Sequence, residues 1–154
     1  MHRNATSGKR AATMLTLGFM TIGTLASEPV GSVMIGDLQW ASTSNGEDLP
    51  WAEADRHCAD LTLDHHDDWR LPTLSELESI ADPEAAGGIR APITLDTCCA
   101  WSATTLAARP AEAGGDPGGP PSQYYWGFLF DSGTPYYSFR RFADGRALCV
   151  RDVE

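Results

Sequence analysis

The chain has 154 residues, with 11 basic and 21 acidic side chains and a net charge of −10. A surplus of acid this large argues against nucleic acid, heparin-like polymers and anionic membrane as partners. The length suits a single domain with one core.

The first predicted element is a leader. Arg3, Lys9 and Arg10 precede an uncharged stretch, residues 11–26, that ends in small side chains. This is the layout of a secretory signal peptide, expected at 1–26, with Thr24 and Ala26 at the minus-three and minus-one positions of the cleavage site. Its apolar run, about 15 residues, is shorter than the roughly 20 a membrane-spanning helix needs. Cleavage removes three cations and no acid, so the domain expected at 27–154 keeps eight arginines, no lysine and a net charge of −13. No later segment is apolar enough to span, and the expected destination is either secretion or the periplasm and cell envelope.

Two short apolar pieces around Gly36-Asp37, within 30–40, read as strand, turn and strand. After a polar loop at 42–48, Trp51, Ala54, Cys58 and Leu61 fall at helical spacing, with Pro50 tolerated in the first turn and Asp48 available as a cap. Cys58 thus sits on a buried stripe. Next comes DHHDDWRLPTLSELESI, 64–80, in which Thr73 and Glu76 have the spacing of a capping box and Leu74, Leu77 and Ile80 make an apolar stripe. The residues before that second helix form a polar link. His65, His66, Asp67 and Asp68 are neighbours whose side chains point in different directions, which does not suit a metal shell, and no metal or cofactor is expected.

Residues 93–102 supply strand material leading to a buried Trp101, and 108–123 form a Gly/Pro loop expected to be flexible. Beyond it the pattern is that of a β meander. Tyr124, Trp126, Phe128 and Phe130 alternate with Tyr125, Gly127 and Leu129, a second strand covers 136–142, and Asp144-Gly145 signals a hairpin into a third strand that carries Cys149.

All four cysteines lie beyond the leader, and an even number in an oxidising compartment favours disulfides. No Cys-x-x-Cys spacing occurs, so a zinc knuckle or thioredoxin-type pair lacks support. Neighbouring Cys98 and Cys99 join only through a strained eight-membered ring, whereas Cys58 and Cys149 stand at the two ends of the domain. Cys58 with Cys149 is the favoured pair, contributing about 4 to 5 kcal/mol by the chain-entropy argument. For Cys98 and Cys99 three readings stay open: a vicinal disulfide, buried thiols, or a bond to another chain.

The ordered blocks LQWA, PWAEADRHC, DDWRLPTLSELESI, CAWSATT, WGFLFDSG and ALCVRDV resemble the DUF1566 domain, also called the Lcl C-terminal domain, over roughly 38–153. The residues that match are Trp51, Ala54 and Cys58; Asp68 to Thr73 with Glu76 and Leu77; Trp101, Ser102 and Thr104; and Cys149, Val150 and Arg151. The resemblance implies an α+β, C-type-lectin-like fold of two helices flanking a twisted, mostly antiparallel sheet. It also implies the Cys58–Cys149 bond. Within it Trp69 fills the space between helix and sheet, worth about 2 to 3 kcal/mol, and Arg70 satisfies carbonyls or a carboxylate.

The function expected from this resemblance is a secreted, non-catalytic ligand-binding or adhesion-type module of the bacterial envelope, with an unknown glycan or protein as its surface ligand. Tyr124, Tyr136, Tyr137, Arg140 and Arg141 are the candidate ligand surface, with Arg146 a third cation for a local basic patch. The Glu-Pro-Asn and Trp-Asn-Asp blocks of calcium-dependent lectins do not occur. Alternative readings are a structural partner in envelope assembly and a sulfatase-modifying-factor-like oxidase. The oxidase would have to use Cys98 and Cys99, whose adjacency does not suit two thiolates on one copper.

Overall fold

The computed structural model describes residues 31–112 and 115–154, so the leader expected at 1–26 lies outside the described residues. Six strands and two helices follow one another as β1 Ser32–Ile35, β2 Leu38–Ala41, α1 Trp51–Ala59, α2 Leu74–Ser79, β3 Cys99–Thr105, β4 Tyr124–Leu129, β5 Thr134–Phe139 and β6 Val150–Asp152. Gly36, with a φ of 62°, makes the turn between β1 and β2.

The expectation of two helices flanking one twisted sheet, C-type-lectin-like, is overturned. The protein is mostly β, with two antiparallel sheets of three strands each, ordered β1-β2-β6 and β3-β4-β5. The helices are short, nine and six residues. Asp64 and His65, at φ of 52° and 67°, turn the chain sharply after α1. Pro83 disfavours helical backbone at the residue before it, so α2 cannot run far past Ile80.

The third strand of the expected meander also goes elsewhere. No hairpin forms at Asp144-Gly145; Gly145 bridges Leu49 and Arg146 runs parallel beside Ala100 of β3. The chain then crosses to the other sheet, where Val150 pairs with Trp40 and Arg151 with Gln39. A Cβ on Gly145 would lie 2.8 Å from the Tyr136 hydroxyl and 3.2 Å from the Trp101 nitrogen, so any side chain at this crossing would have to displace both.

Cys58 and Cys149 are joined across α1 and the approach to β6, with Cα atoms 5.4 Å apart and both residues almost fully buried. They belong to a core with Ala54, Trp69, Leu71 and Trp101. A second core gathers Trp40, Leu74, Leu77, Ile80, Trp126, Phe128, Phe130 and Leu148.

The segment ahead of α2 is the joint between these parts. Arg70 and Val150 exchange both backbone bonds at 2.9 Å, which extends the β1-β2-β6 sheet by one bridge. The Arg70 guanidinium grips Glu76 through two bonds of 2.9 Å and also reaches Asp152 on β6. Asp68 receives a two-pronged contact from Arg151, at 2.6 and 2.9 Å. Trp69, only 3% exposed, donates its indole N–H to the His66 carbonyl. The capping box forms in full: Glu76 N–H donates to the Thr73 hydroxyl and Thr73 N–H to the Glu76 carboxylate. Helix α1 lacks the side-chain cap anticipated from Asp48; its N-cap is Pro50, and Asp48 pairs with Arg146 at 3.0 Å instead.

Candidate functional site

Strict alternation along β4 and β5 divides their side chains between two faces. Cross-strand register brings Tyr124 opposite Phe139 and Trp126 opposite Tyr137 on one face, and Tyr125 opposite Ser138 and Gly127 opposite Tyr136 on the other. On the first face the rings form a continuous ladder. Buried Trp126 meets Tyr137 edge-on with centroids 5.3 Å apart, Tyr137 meets Tyr124 at 6.1 Å, Tyr124 meets Phe139 at 5.3 Å, and Phe139 meets Phe142 at 6.0 Å. Such tilted and edge-to-face arrangements suit the ring quadrupoles. The ladder begins in the core and ends in solvent, because Phe142 is 59% exposed.

A cleft of about 560 Å³ opens along its outer half. One wall is Tyr124, Tyr137, Phe139 and Phe142; the other is the Pro-Gly segment 117–120. This wall is fastened by the Tyr124 hydroxyl, which donates to the Pro117 carbonyl at 2.5 Å, while the Trp126 indole holds the Arg109 carbonyl at 2.7 Å. The described parts of the Gly/Pro loop are therefore attached to β4 at two points.

Charge is distributed unevenly around the cleft. Arg141 lies with its guanidinium carbon 5.9 Å from the Phe139 ring centre, a cation–π contact. Arg140 is exposed, and its backbone ties β5 to the rest by accepting from Trp51 N–H and donating to the Gln123 carbonyl. Like Arg56 and Arg90, neither arginine has a carboxylate partner among the ion pairs of the described residues, whereas Arg70 and Arg146 each have two and Arg109 and Arg151 one. Arg141 is thus an unneutralised cation at the aromatic rim, whereas Arg140 continues the opposite face of β5 and acts on Tyr125 there.

Of the residues anticipated from sequence, Tyr124, Tyr137 and Arg141 meet at this cleft and Arg140 lies beside Arg141 in the chain. Tyr136 does not join them. It lies on the opposite face, packed over Gly127 and Gly145 and tilted against Trp101 at 6.1 Å, with its hydroxyl donating to the Asp144 carbonyl. Burial, with the nearby Asp144 and Asp48 charges, pushes its phenol well above the usual tyrosine range. Arg146 also leaves the proposed basic patch, since Asp48 and Asp96 neutralise it. Sequence reasoning missed Phe139, Phe142 and the Pro-Gly wall. The spacing of Phe139 from Tyr137 pointed to a shared face, but Phe142 lies past the end of β5 and no strand periodicity reaches it.

Cys98 and Cys99 are joined to each other at the start of β3, the first of the three readings left open. Cys99 is 9% exposed and Cys98 half-buried.

Fold and site together define a small, mostly-β, disulfide-closed domain that carries an open aromatic cleft on one of its two sheets. The family model of the Lcl C-terminal domain matches residues 35–151, and the chain belongs to that family. No curated protein matches it.

Proposed function

We propose that this chain is an exported, non-catalytic binding module of adhesion type in the bacterial envelope, and that its ligand, a glycan or a protein segment, stacks in the aromatic cleft. The observation that carries this reading is the ring ladder itself, which runs from buried Trp126 out to Phe142. Rings anchored in a core are rigid, so a ligand face stacked on them loses little side-chain entropy of the protein. Surface aromatics are also the residues that most often dominate binding energy. Arg141, held over the Phe139 ring, supplies hydrogen-bond donors at the rim that no carboxylate of the described residues occupies. The export leader expected at residues 1–26 is in keeping with a surface role.

The test is a glycan array together with a surface-protein binding assay, each read with and without EDTA. Binding insensitive to EDTA and weakened about tenfold by Phe142→Ala is the expected outcome, since one aromatic contact is worth about 1 kcal/mol or somewhat more. Phe142 is exposed, so this variant keeps the fold. Binding that survives both Phe142→Ala and Tyr137→Ala at full strength would remove the cleft from the reading.

A further inference from the structure

We infer that the Cys98–Cys99 pair is a thiol-exchange site, reducible by a dithiol donor while the Cys58–Cys149 bond stays closed. The two bonds differ in access. Cys58 and Cys149 are 0% and 1% exposed, enclosed by Trp69, Leu71 and Trp101, so no external thiolate reaches either sulfur in the folded chain. Cys98 is half-buried at the surface end of β3, with Cys99 behind it at 9% exposure. Access to a sulfur is a prerequisite for exchange, because the attacking thiolate must come in along the S–S axis.

They differ as well in what they hold. The Cys58–Cys149 bond spans a sequence separation of 91 residues, so opening it frees a large loop, whereas Cys98 and Cys99 are neighbours and opening their bond frees none. The strand beside the pair is secured independently. Phe130 N–H donates to the Cys98 carbonyl at 2.8 Å, Arg146 N–H to the Cys99 carbonyl at 3.0 Å, and Trp101 N–H to the Arg146 carbonyl at 3.0 Å. The two bonds to and from Arg146 lie outside the eight-membered ring that the pair closes, so the strand stays paired there whether the sulfurs are joined or parted.

The chemistry balances as an ordinary exchange. A donor thiolate attacks Cys98 Sγ, the S–S bond breaks, and Cys99 leaves as a thiolate that takes a proton from water. The donor's second thiol then attacks its own sulfur in the mixed disulfide and releases Cys98 as a thiolate, so the pair gains two electrons and the donor becomes a disulfide.

The experiment titrates the native exported protein with dithiothreitol, traps thiols with iodoacetamide and maps the labels by mass. Two labels, both on the peptide holding Cys98 and Cys99, are expected while Cys58 and Cys149 remain joined and the circular dichroism is unchanged. Label on Cys98 or Cys99 before any reductant, opening of Cys58–Cys149 at the same dithiol concentration, or no label until the chain is denatured would each overturn the inference. A Cys98→Ser, Cys99→Ser double variant supplies an independent check: it should take no label and keep the parent Tm. A Tm that falls as far as that of Cys58→Ser would mean the pair is a structural lock.

Discussion

Gly127 and Tyr136 show how much of this fold is decided by single side chains. A Cβ on Gly127 would lie 2.5 Å from the Tyr136 ring, inside the contact distance of any real methyl group, so the ring lies flat on bare backbone. Gly127→Ala should therefore cost about 1 to 3 kcal/mol by overpacking, read as a lower urea midpoint. Tyr136 carries a pH consequence. Its phenol is raised in the folded state, so the unfolded chain ionises first, near pH 10. The stability from keeping it neutral is intact below that pH and is lost as pH rises toward the folded value. Urea midpoints measured from pH 8 to 10.5 should fall for the parent and fall less for Tyr136→Phe. The parity rule that puts Tyr124 and Trp126 on one face is readable in the residues. Whether Tyr136 or Tyr137 shares that face is settled only by the β4–β5 register.

At the scale of elements, α2 is the clearest case of a sequence signal realised in full. Thr73→Ala removes the hydroxyl from the capping box and should lower stability by about 1 kcal/mol, measured by chemical denaturation. The contacts from the segment before α2 to β6 make the domain acid-sensitive. Arg151 holds the Asp68 carboxyl below its usual range, and Arg70 does the same for Asp152. At Glu76 burial pushes upward, but the bonds from Arg70 and Thr73 more than reverse it. All three folded values are depressed, so this stability is present above about pH 4 and is lost as pH falls through the folded values. Urea midpoints should drop between pH 5 and 2, and Arg70→Ala should flatten the drop. The Asp144-Gly145 signal was misleading for a physical reason. A local preference for a tight turn competes with Cys149, which must reach Cys58, and with Val150, which must meet both Trp40 and Arg70. The long-range demands prevail, and the last strand leaves the meander.

Across the whole molecule the Cys58–Cys149 bond ties α1 to the final strand, and Cys58→Ser should cost about 2 to 5 kcal/mol, seen as a lower Tm in a reduced-against-oxidised comparison. The sequence by itself determined the first strand pair, the two helical stripes, the capping box, the family and the cysteine that pairs with α1. Those features are local, or are carried by residues whose chemistry leaves few alternatives. Tertiary structure alone decided that the strands form two sheets of three, that Arg146 turns inward to Asp48 and Asp96, and that Phe139 and Phe142 complete a cleft with a Pro-Gly wall. Each of these depends on which distant segments meet, and neither hydrophobic period nor turn chemistry encodes a partner across a hundred residues. Burial and the covalent tether choose among locally equivalent pairings.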